Sequence, residues 1–381
     1  MSLFRSVKVI NSGKAILLSP KSKYSAPLRY HSTWLMDNAL DDNTRDKKNG
    51  QRLITISDIP AKTYIKSASI DKKGKEINIV FLPKKKQVKF STKWLKDNAY
   101  DNKQVGSKIW INSDLKTWSK KNLKNIPTIN YKNAKSNKKL LLNWLKSLNT
   151  YGFAKINECG KKNKTVLKIA KILGYVRETN YGKYFDVKSK TNAVNLAYTN
   201  LGLQAHTDNP YRIPVPTIQI LHCIKNSNKG GDTKVIDGFN VALLLKKTNK
   251  KYFNLLSKYC SNFEFKGKKN IHLKSRFPMI SLSPDNELTA IHFNNRSIGP
   301  ITDVPYKHML DYYKAYRKFS EIINDPSMAI KFKLKPGDCF VVDNTRVLHA
   351  RTSYKSNGDR WLQGCYTDKD ELLSKISTKS L

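Results

Sequence analysis

Ala205-His206-Thr207-Asp208-Asn209-Pro210 and Phe340-Val341-Val342-Asp343-Asn344-Thr345-Arg346-Val347-Leu348-His349 are the stretches on which the fold of this 381-residue chain is read. In an extended segment residues i and i+2 point to the same side, so His206 and Asp208 can take adjacent positions on one metal ion. The second stretch is an apolar strand, a turn and a lone histidine, an order that can return the His349 imidazole to that pair. Two histidines and one carboxylate on one face of an octahedron leave three positions open, the arrangement of non-haem iron(II) oxygenases. His-x-Asp alone arises by chance in many chains; its combination with His349 and with strand-like surroundings is what has weight.

Arg360, eleven residues after His349, and Thr233, twenty-seven after His206, complete the constellation. A 2-oxo acid that chelates iron through its keto oxygen and adjacent carboxylate leaves its far carboxylate to a planar bidentate fork and a hydroxyl, which Arg and Thr supply. The remaining histidines, His31, His222, His272, His292 and His308, have no His-x-Asp partner and are read as structural.

Outward from this centre, strand-like apolar segments recur at 217–223, 232–236, 277–281, 289–293, 331–334 and 339–342, with helical stretches near 241–256 and 309–323. Upstream, Leu140, Leu141, Trp144, Leu145 and Leu148 fall at helical spacing within 134–149, a strand is expected at 151–156, and a helix over 165–173 is ended by Gly174. Residues 1–117 alternate in short runs such as 8–10, 52–56 and 76–81 and predict a small β-rich domain; the Lys/Asn-rich stretch 118–131 is read as a linker, and 132–381 as the second domain. Trp34-Leu35-Met36-Asp37-Asn38-Ala39 recurs as Trp94-Leu95-Lys96-Asp97-Asn98-Ala99, which predicts two similar helical turns on one small sheet.

Lys and Arg number 71 against 29 Asp and Glu, a formal charge of +42, yet the cations are mostly lysines strewn along the whole chain. A spread of that kind reads as solvated surface rather than a nucleic-acid stripe, since Lys84-Lys85-Lys86 and Lys161-Lys162 are short and lack interleaved aromatics. Five separated cysteines with no CxxC pair give neither a disulfide framework nor a zinc knuckle, and fit a reducing compartment. Arg5, Lys8 and Lys14 interrupt the N-terminal apolar residues, so the expectation is a cytoplasmic protein without a membrane partner.

The segments from Ala205 to Asn209-Pro210, Ile218-Gln219-Ile220-Leu221-His222-Cys223, Gly230-Gly231-Asp232-Thr233, Asp343-Asn344-Thr345-Arg346-Val347-Leu348-His349-Ala350-Arg351 and Arg360-Trp361-Leu362-Gln363-Gly364-Cys365-Tyr366 closely resemble the γ-butyrobetaine dioxygenase family. Trimethyllysine dioxygenases share most of these motifs; the broader taurine dioxygenase group shares the iron and co-substrate residues. The resemblance implies a mainly β fold with flanking helices, a double-stranded β-helix (jelly roll) preceded by a small β-rich domain. It implies Fe(II) on His206, Asp208 and His349, with O2 and 2-oxoglutarate as co-substrates, the latter held by Arg360, Thr233 and Leu221. The reaction would hydroxylate γ-butyrobetaine to L-carnitine, the step of carnitine biosynthesis, in a homodimer.

A quaternary ammonium has no N–H to donate and is held by aromatic faces. By resemblance Tyr181, Phe185, Tyr198 and Tyr366 form that cage, and Asn195 and Asn294 reach the substrate carboxylate; Phe185 and Asn209 stand where the family usually has Trp and Tyr. Relatives often carry a structural zinc on N-terminal cysteines, but none precedes Cys159, so no zinc is expected. The alternatives are a trimethyllysine dioxygenase, a taurine- or aminophosphonate-type oxygenase with basic rather than aromatic residues near the open metal positions, and, more distantly, a polyanion-binding protein.

Overall fold

The computed structural model describes residues 3–101, 111–188, 201–226, 230–267, 270–354 and 360–379. Two compact units divide the chain, Met1–Val105 and Gly106–Leu381. In the first, β1 (Phe4–Ile10), β2 (Ala15–Pro20) and β3 (Leu28–His31) form an antiparallel sheet followed by helix α1 (Ser32–Asp37). The pattern then repeats: β4 (Tyr64–Ile70), β5 (Glu76–Leu82) and β6 (Lys86–Ser91) form a second antiparallel sheet followed by α2 (Thr92–Asp97).

Each copy of Trp-Leu-x-Asp-Asn thus follows its own three-stranded sheet, not one shared sheet as expected. The motif has a local reason. Leu35 and Leu95 are fully buried, the rings of Trp34 and Trp94 lie 5.7 Å apart, and the amides of Asn38 and Asn98 donate to the carbonyls of Trp34 (2.9 Å) and Trp94 (2.8 Å), closing each short helix. The strand expected at 52–56 does not form: Leu53 and Ile56 are exposed and Ile56–Asp58 is a 3-10 turn. Alternation makes a strand only where one face can be buried.

The second unit begins with β7 (Thr128–Asn130), α3 (Tyr131–Ser136), α4 (Lys138–Tyr151), β8 (Phe153–Asn157), α5 (Thr165–Leu173), β9 (Phe185–Lys188) and β10 (Leu203–His206). It continues through β11 (Ile218–Lys225), β12 (Thr233–Asp237), α6 (Gly238–Thr248), α7 (Lys250–Lys258), β13 (Cys260–Lys266), β14 (His272–Pro278), β15 (Ile280–Leu282) and β16 (Leu288–Ile291). The last elements are α8 (Tyr306–Asn324), β17 (Ala329–Phe332), β18 (Cys339–Asp343), β19 (Val347–Arg351), β20 (Trp361–Thr367) and α9 (Lys369–Lys379).

A six-stranded sheet ordered β7-β8-β18-β11-β20-β9 and a four-stranded sheet ordered β10-β19-β12-β17 hold the unit together, antiparallel except for the β7–β8 pair. Period-two alternation sorts their side chains. Val342 and Leu362 of the larger sheet and Val235 and Val347 of the smaller meet in one core, whereas the neighbouring Val341 packs with α4 and α5, and Ile236 and Leu348 with α6, α7 and α8. The expected helix over 134–149 is broken at Asn137, whose side chain accepts from Leu140 N–H (3.0 Å) and so starts α4 afresh. Gly152 ends α4 at φ 76, and a Cβ there would come within 2.8 Å of Val347.

Residues 118–131 are not a linker. Trp118 is buried in the core shared by the two sheets, with its indole N–H donating to Tyr151 O (2.7 Å), and β7 is an edge strand of the larger sheet. The unit boundary accordingly lies before the expected 117/118 break. No described helix is long and apolar enough to cross a membrane.

Candidate active site

The pairing of β10 with β19 builds the centre. Its register sets His206 opposite His349, and the two imidazoles lie 4.3 Å apart between ring centroids. Asp208 follows in the turn after β10, where its Oδ1 is 3.3 Å from His206 Nε2 and 3.9 Å from His349 Nε2. Among the described residues these three form the one group whose donor atoms, all within 4.8 Å of one another, could hold a metal.

The carboxylate is aimed by residues remote in sequence. Asn344 is fully buried in the turn after β18; its Oδ1 accepts from Asp208 N–H (2.6 Å) and its Nδ2 donates to Asp208 O (2.9 Å) and Pro216 O (2.8 Å). Tyr366 Oη donates to Asp208 Oδ2 (2.9 Å), and Gln219 Nε2 donates to the same oxygen. With Oδ2 so occupied, Oδ1 is the oxygen turned to the imidazoles. Thr207 is locked as well, its N–H on Phe293 O (2.8 Å) and its hydroxyl accepting from Phe293 N–H (3.1 Å).

Protonation favours metal binding. Burial, reinforced by His206, holds His349 down to about 3, and burial lowers His206 too. Burial works against ionisation of Asp208, but His206, His349 and Arg296 outweigh it and keep its pKa below the usual carboxylate range. His206 Nδ1 is 2.7 Å from Gln204 O; a carbonyl only accepts, so Nδ1 bears the proton and Nε2 keeps its lone pair. Two neutral imidazoles and a carboxylate in contact fit a facially bound Fe(II).

A cavity of about 630 Å³ opens on this trio and is lined by Arg360, Thr233 and Leu221. Arg360 is buried, and its Nε has no hydrogen-bond partner among the described residues, an orphaned donor that suits a ligand carboxylate. Burial, with Arg351 nearby, lowers its pKa to about 10, so it remains a cation at neutral pH. Gly231, at φ +73, brings the backbone close beside that guanidinium: a Cβ there would lie 3.5 Å from Arg360 Nε.

Tyr181, Phe185 and Tyr366 line the same cavity as a continuous aromatic wall, with ring centroids 5.9 Å apart for Tyr181 and Phe185 and 5.4 Å for Phe185 and Tyr366. Phe185 lies across the β9–β20 pair from Gly364, and any Cβ at 364 would overlap its ring. Asn195 and Tyr198 fall outside the described residues. Asn294 lines the cavity, where Nδ2 donates one of its two hydrogens to Thr207 O (3.0 Å) and Oδ1 accepts from Arg296 N–H (3.1 Å).

The profile of the family "Taurine catabolism dioxygenase TauD, TfdA family" matches residues 115–366. The chain is 30% identical over 355 residues to the γ-butyrobetaine dioxygenase of Homo sapiens, covering 91% of this chain and 90% of that protein. It is 29% identical to the γ-butyrobetaine dioxygenase of a Pseudomonas species (91% and 89% covered) and 25% identical to the trimethyllysine dioxygenase of Meyerozyma guilliermondii (97% and 95% covered). The chain belongs to the TauD, TfdA family of dioxygenases.

As a TauD, TfdA dioxygenase it joins Asn209 to site residues that its sequence did not single out. Asn209, at φ 52 in the left-handed region that Asn tolerates, donates through Nδ2 to Tyr366 Oη (2.9 Å) and accepts from Tyr211 Oη (2.6 Å), which in turn lies 2.8 Å from Tyr181 Oη. Tyr211 stacks on Phe265 at 4.9 Å, and both line the cavity. The aromatic surface expected at 209 is thus supplied two residues later, and a hydrogen-bonded line runs from the aromatic wall to Asp208. Asn344 and Gln219 stand inside motifs quoted above yet drew no role there, and Arg296 stands outside them, because each gains its role from contacts far along the chain.

Proposed function

We propose that the protein is an Fe(II)- and 2-oxoglutarate-dependent dioxygenase that hydroxylates a small trimethylammonium compound, γ-butyrobetaine to L-carnitine. The observation that carries this reading is the convergence of His206, Asp208 and His349 at one end of a cavity that also holds a buried guanidinium and an aromatic wall. Bound iron and 2-oxoglutarate would supply the oxidising chemistry, one oxygen atom entering a C–H bond while the co-substrate becomes succinate and carbon dioxide. The chain's own residues place the reactants and exclude water. Arg360 with Thr233 and Leu221 would orient the co-substrate, and Tyr181, Phe185 and Tyr366 would receive the trimethylammonium group through their faces, a contact worth about 0.5–2 kcal/mol. The two sheets of the second unit are read as the halves of a double-stranded β-helix preceded by a small β-rich domain, and the resemblance extends the proposal to a cytoplasmic homodimer.

Substrate-dependent release of succinate, measured with γ-butyrobetaine, trimethyllysine and taurine, tests the reading. Stimulation by γ-butyrobetaine above the others is expected; stimulation by taurine alone would overturn it in favour of a sulfonate oxygenase. Arg360→Ala should raise the KM for 2-oxoglutarate by about 10–100-fold, the loss of a charge-assisted hydrogen-bonded pair. Arg360→Lys should recover part of this, because it keeps the charge and loses the fork. An unchanged KM in both variants would remove Arg360 from the co-substrate site.

A further inference from the structure

The hydrogen-bonded line from Tyr181 to Asp208 has a direction, and its last link fixes it. A carboxylate only accepts, so the hydroxyl proton of Tyr366 goes to Asp208 Oδ2 (2.9 Å). With that proton spent, Tyr366 Oη can only accept at its other contact, which requires Asn209 Nδ2, and not Oδ1, to face it (2.9 Å). Asn209 Oδ1 is thereby turned to Tyr211 and takes its proton (2.6 Å), which leaves Tyr181 to donate to Tyr211 Oη (2.8 Å). Every bridging proton in the line points toward Asp208. Asn209, Tyr211 and Tyr366 are 6%, 5% and 3% exposed, so the line, and not bulk water, satisfies their polar atoms. Gln219, opposite Tyr366 in the β11–β20 register, donates to the same Oδ2, which is thus pinned by two donors while Oδ1 is left to the imidazoles. Linked hydrogen bonds polarise one another, so a break at one link weakens the next.

We propose that Asn209 and Tyr211 are positioning residues that act on Asp208 through Tyr366: they fix the direction of its hydroxyl, hold the carboxylate with Oδ1 toward the metal position, and so join the aromatic wall and the iron site into one unit. The proposal rests on the reading of His206, Asp208 and His349 as the Fe(II) site and adds two residues whose side chains reach the carboxylate only through a third. A short amide suits the middle of such a line because it accepts on one side and donates on the other. Its backbone, at φ 52, aims that amide between the two phenols. At the far end, the line turns the phenolic protons of Tyr181, Tyr211 and Tyr366 away from any ligand in the cavity, so these residues present ring faces and oxygen lone pairs to it.

The test is a double-mutant cycle on the full-length protein, read as anaerobic Fe(II) affinity, with circular dichroism to confirm the fold of each variant. Tyr211→Phe keeps the ring stacked on Phe265 and removes only the hydroxyl; it should weaken Fe(II) binding by about 3–10-fold, the net worth of one hydrogen bond. Asn209→Gly removes the amide at a backbone angle that glycine adopts freely, and should act in the same way. In a Tyr366→Phe background, where the line no longer reaches Asp208, either change should alter Fe(II) affinity by less than about 2-fold. The KM for 2-oxoglutarate should stay at the wild-type value in Tyr211→Phe, since no member of the line hydrogen-bonds to Arg360 or Thr233 among the described residues. Wild-type Fe(II) affinity in either single variant, losses that add fully to that of Tyr366→Phe, or a matching rise in that KM would overturn the proposal. Failure of wild type to bind Fe(II) would fault the metal site and the proposal with it. A non-additive cycle in a protein whose succinate release γ-butyrobetaine does not stimulate would support the line and fault the substrate alone.

Discussion

Asp208→Ala and His206→Ala should each abolish Fe(II) binding and lower succinate release by more than about 100-fold, because loss of an outer-shell partner alone typically costs about 10–100-fold in metal affinity or activity. The outer shell offers a graded comparison. Tyr366→Phe removes the hydroxyl that donates to Asp208 Oδ2 while leaving the ring in the aromatic wall, so Fe(II) affinity should fall by about 10-fold or more. Gln219→Leu removes the other donor to that oxygen and should act in the same direction. Fe(II) affinity measured anaerobically, beside far-UV circular dichroism to confirm the fold, provides the check. Wild-type Fe(II) affinity in Asp208→Ala would show that the trio is not the metal site.

Asp237→Ala should be the most destabilising change tested in the second unit, by about 3–5 kcal/mol, since it strands a buried cation. Arg346 and Asp237 have fully buried side chains joined by two hydrogen bonds, Nε to Oδ1 (3.0 Å) and Nη2 to Oδ2 (2.9 Å). Arg346 Nη1 also donates to Thr150 O (2.9 Å) and Nη2 to Lys116 O (2.6 Å), and Asp237 also accepts from Trp118 N–H (2.9 Å) and Phe239 N–H (3.1 Å). The pair therefore ties the segment before β7, the end of α4, the start of α6 and the turn that leads to His349. Urea denaturation should show Arg346→Ala losing a similar amount, and Asp237→Leu combined with Arg346→Met losing less than either alanine variant, because no charge is left unpaired. A double variant as unstable as the sum of the two single losses would mean that packing, and not the charge pair, dominates.

What reached the sequence unaided was whatever repeats at short range. The apolar runs at 217–223 and 339–342 became β11 and β18 because a strand buried on both faces must be apolar throughout, and 165–173 became α5 because its apolar residues recur at helical spacing and a glycine ends it. The metal trio was legible for the same reason: His206 and Asp208 are two residues apart, and His349 follows an apolar strand and a turn.

Long-range pairing decided the rest. Asn344 meets Asp208 across 136 residues, Tyr366 meets it across 158, and Arg346 meets Asp237 across 109. Nothing local in the sequence marks an asparagine as the clamp of a carboxylate or a tryptophan in a polar stretch as core. The run at 52–56 alternates correctly yet stays exposed, because a period can propose a face but only a neighbouring element can bury it. Residue types and short spacings thus determined which chemistry the chain could hold. The tertiary structure alone decided which oxygen of Asp208 faces the imidazoles, that Asn294 donates to Thr207 O, and that Arg296 lines the cavity, since each is a hydrogen bond or placement made between elements that the chain brings together only on folding.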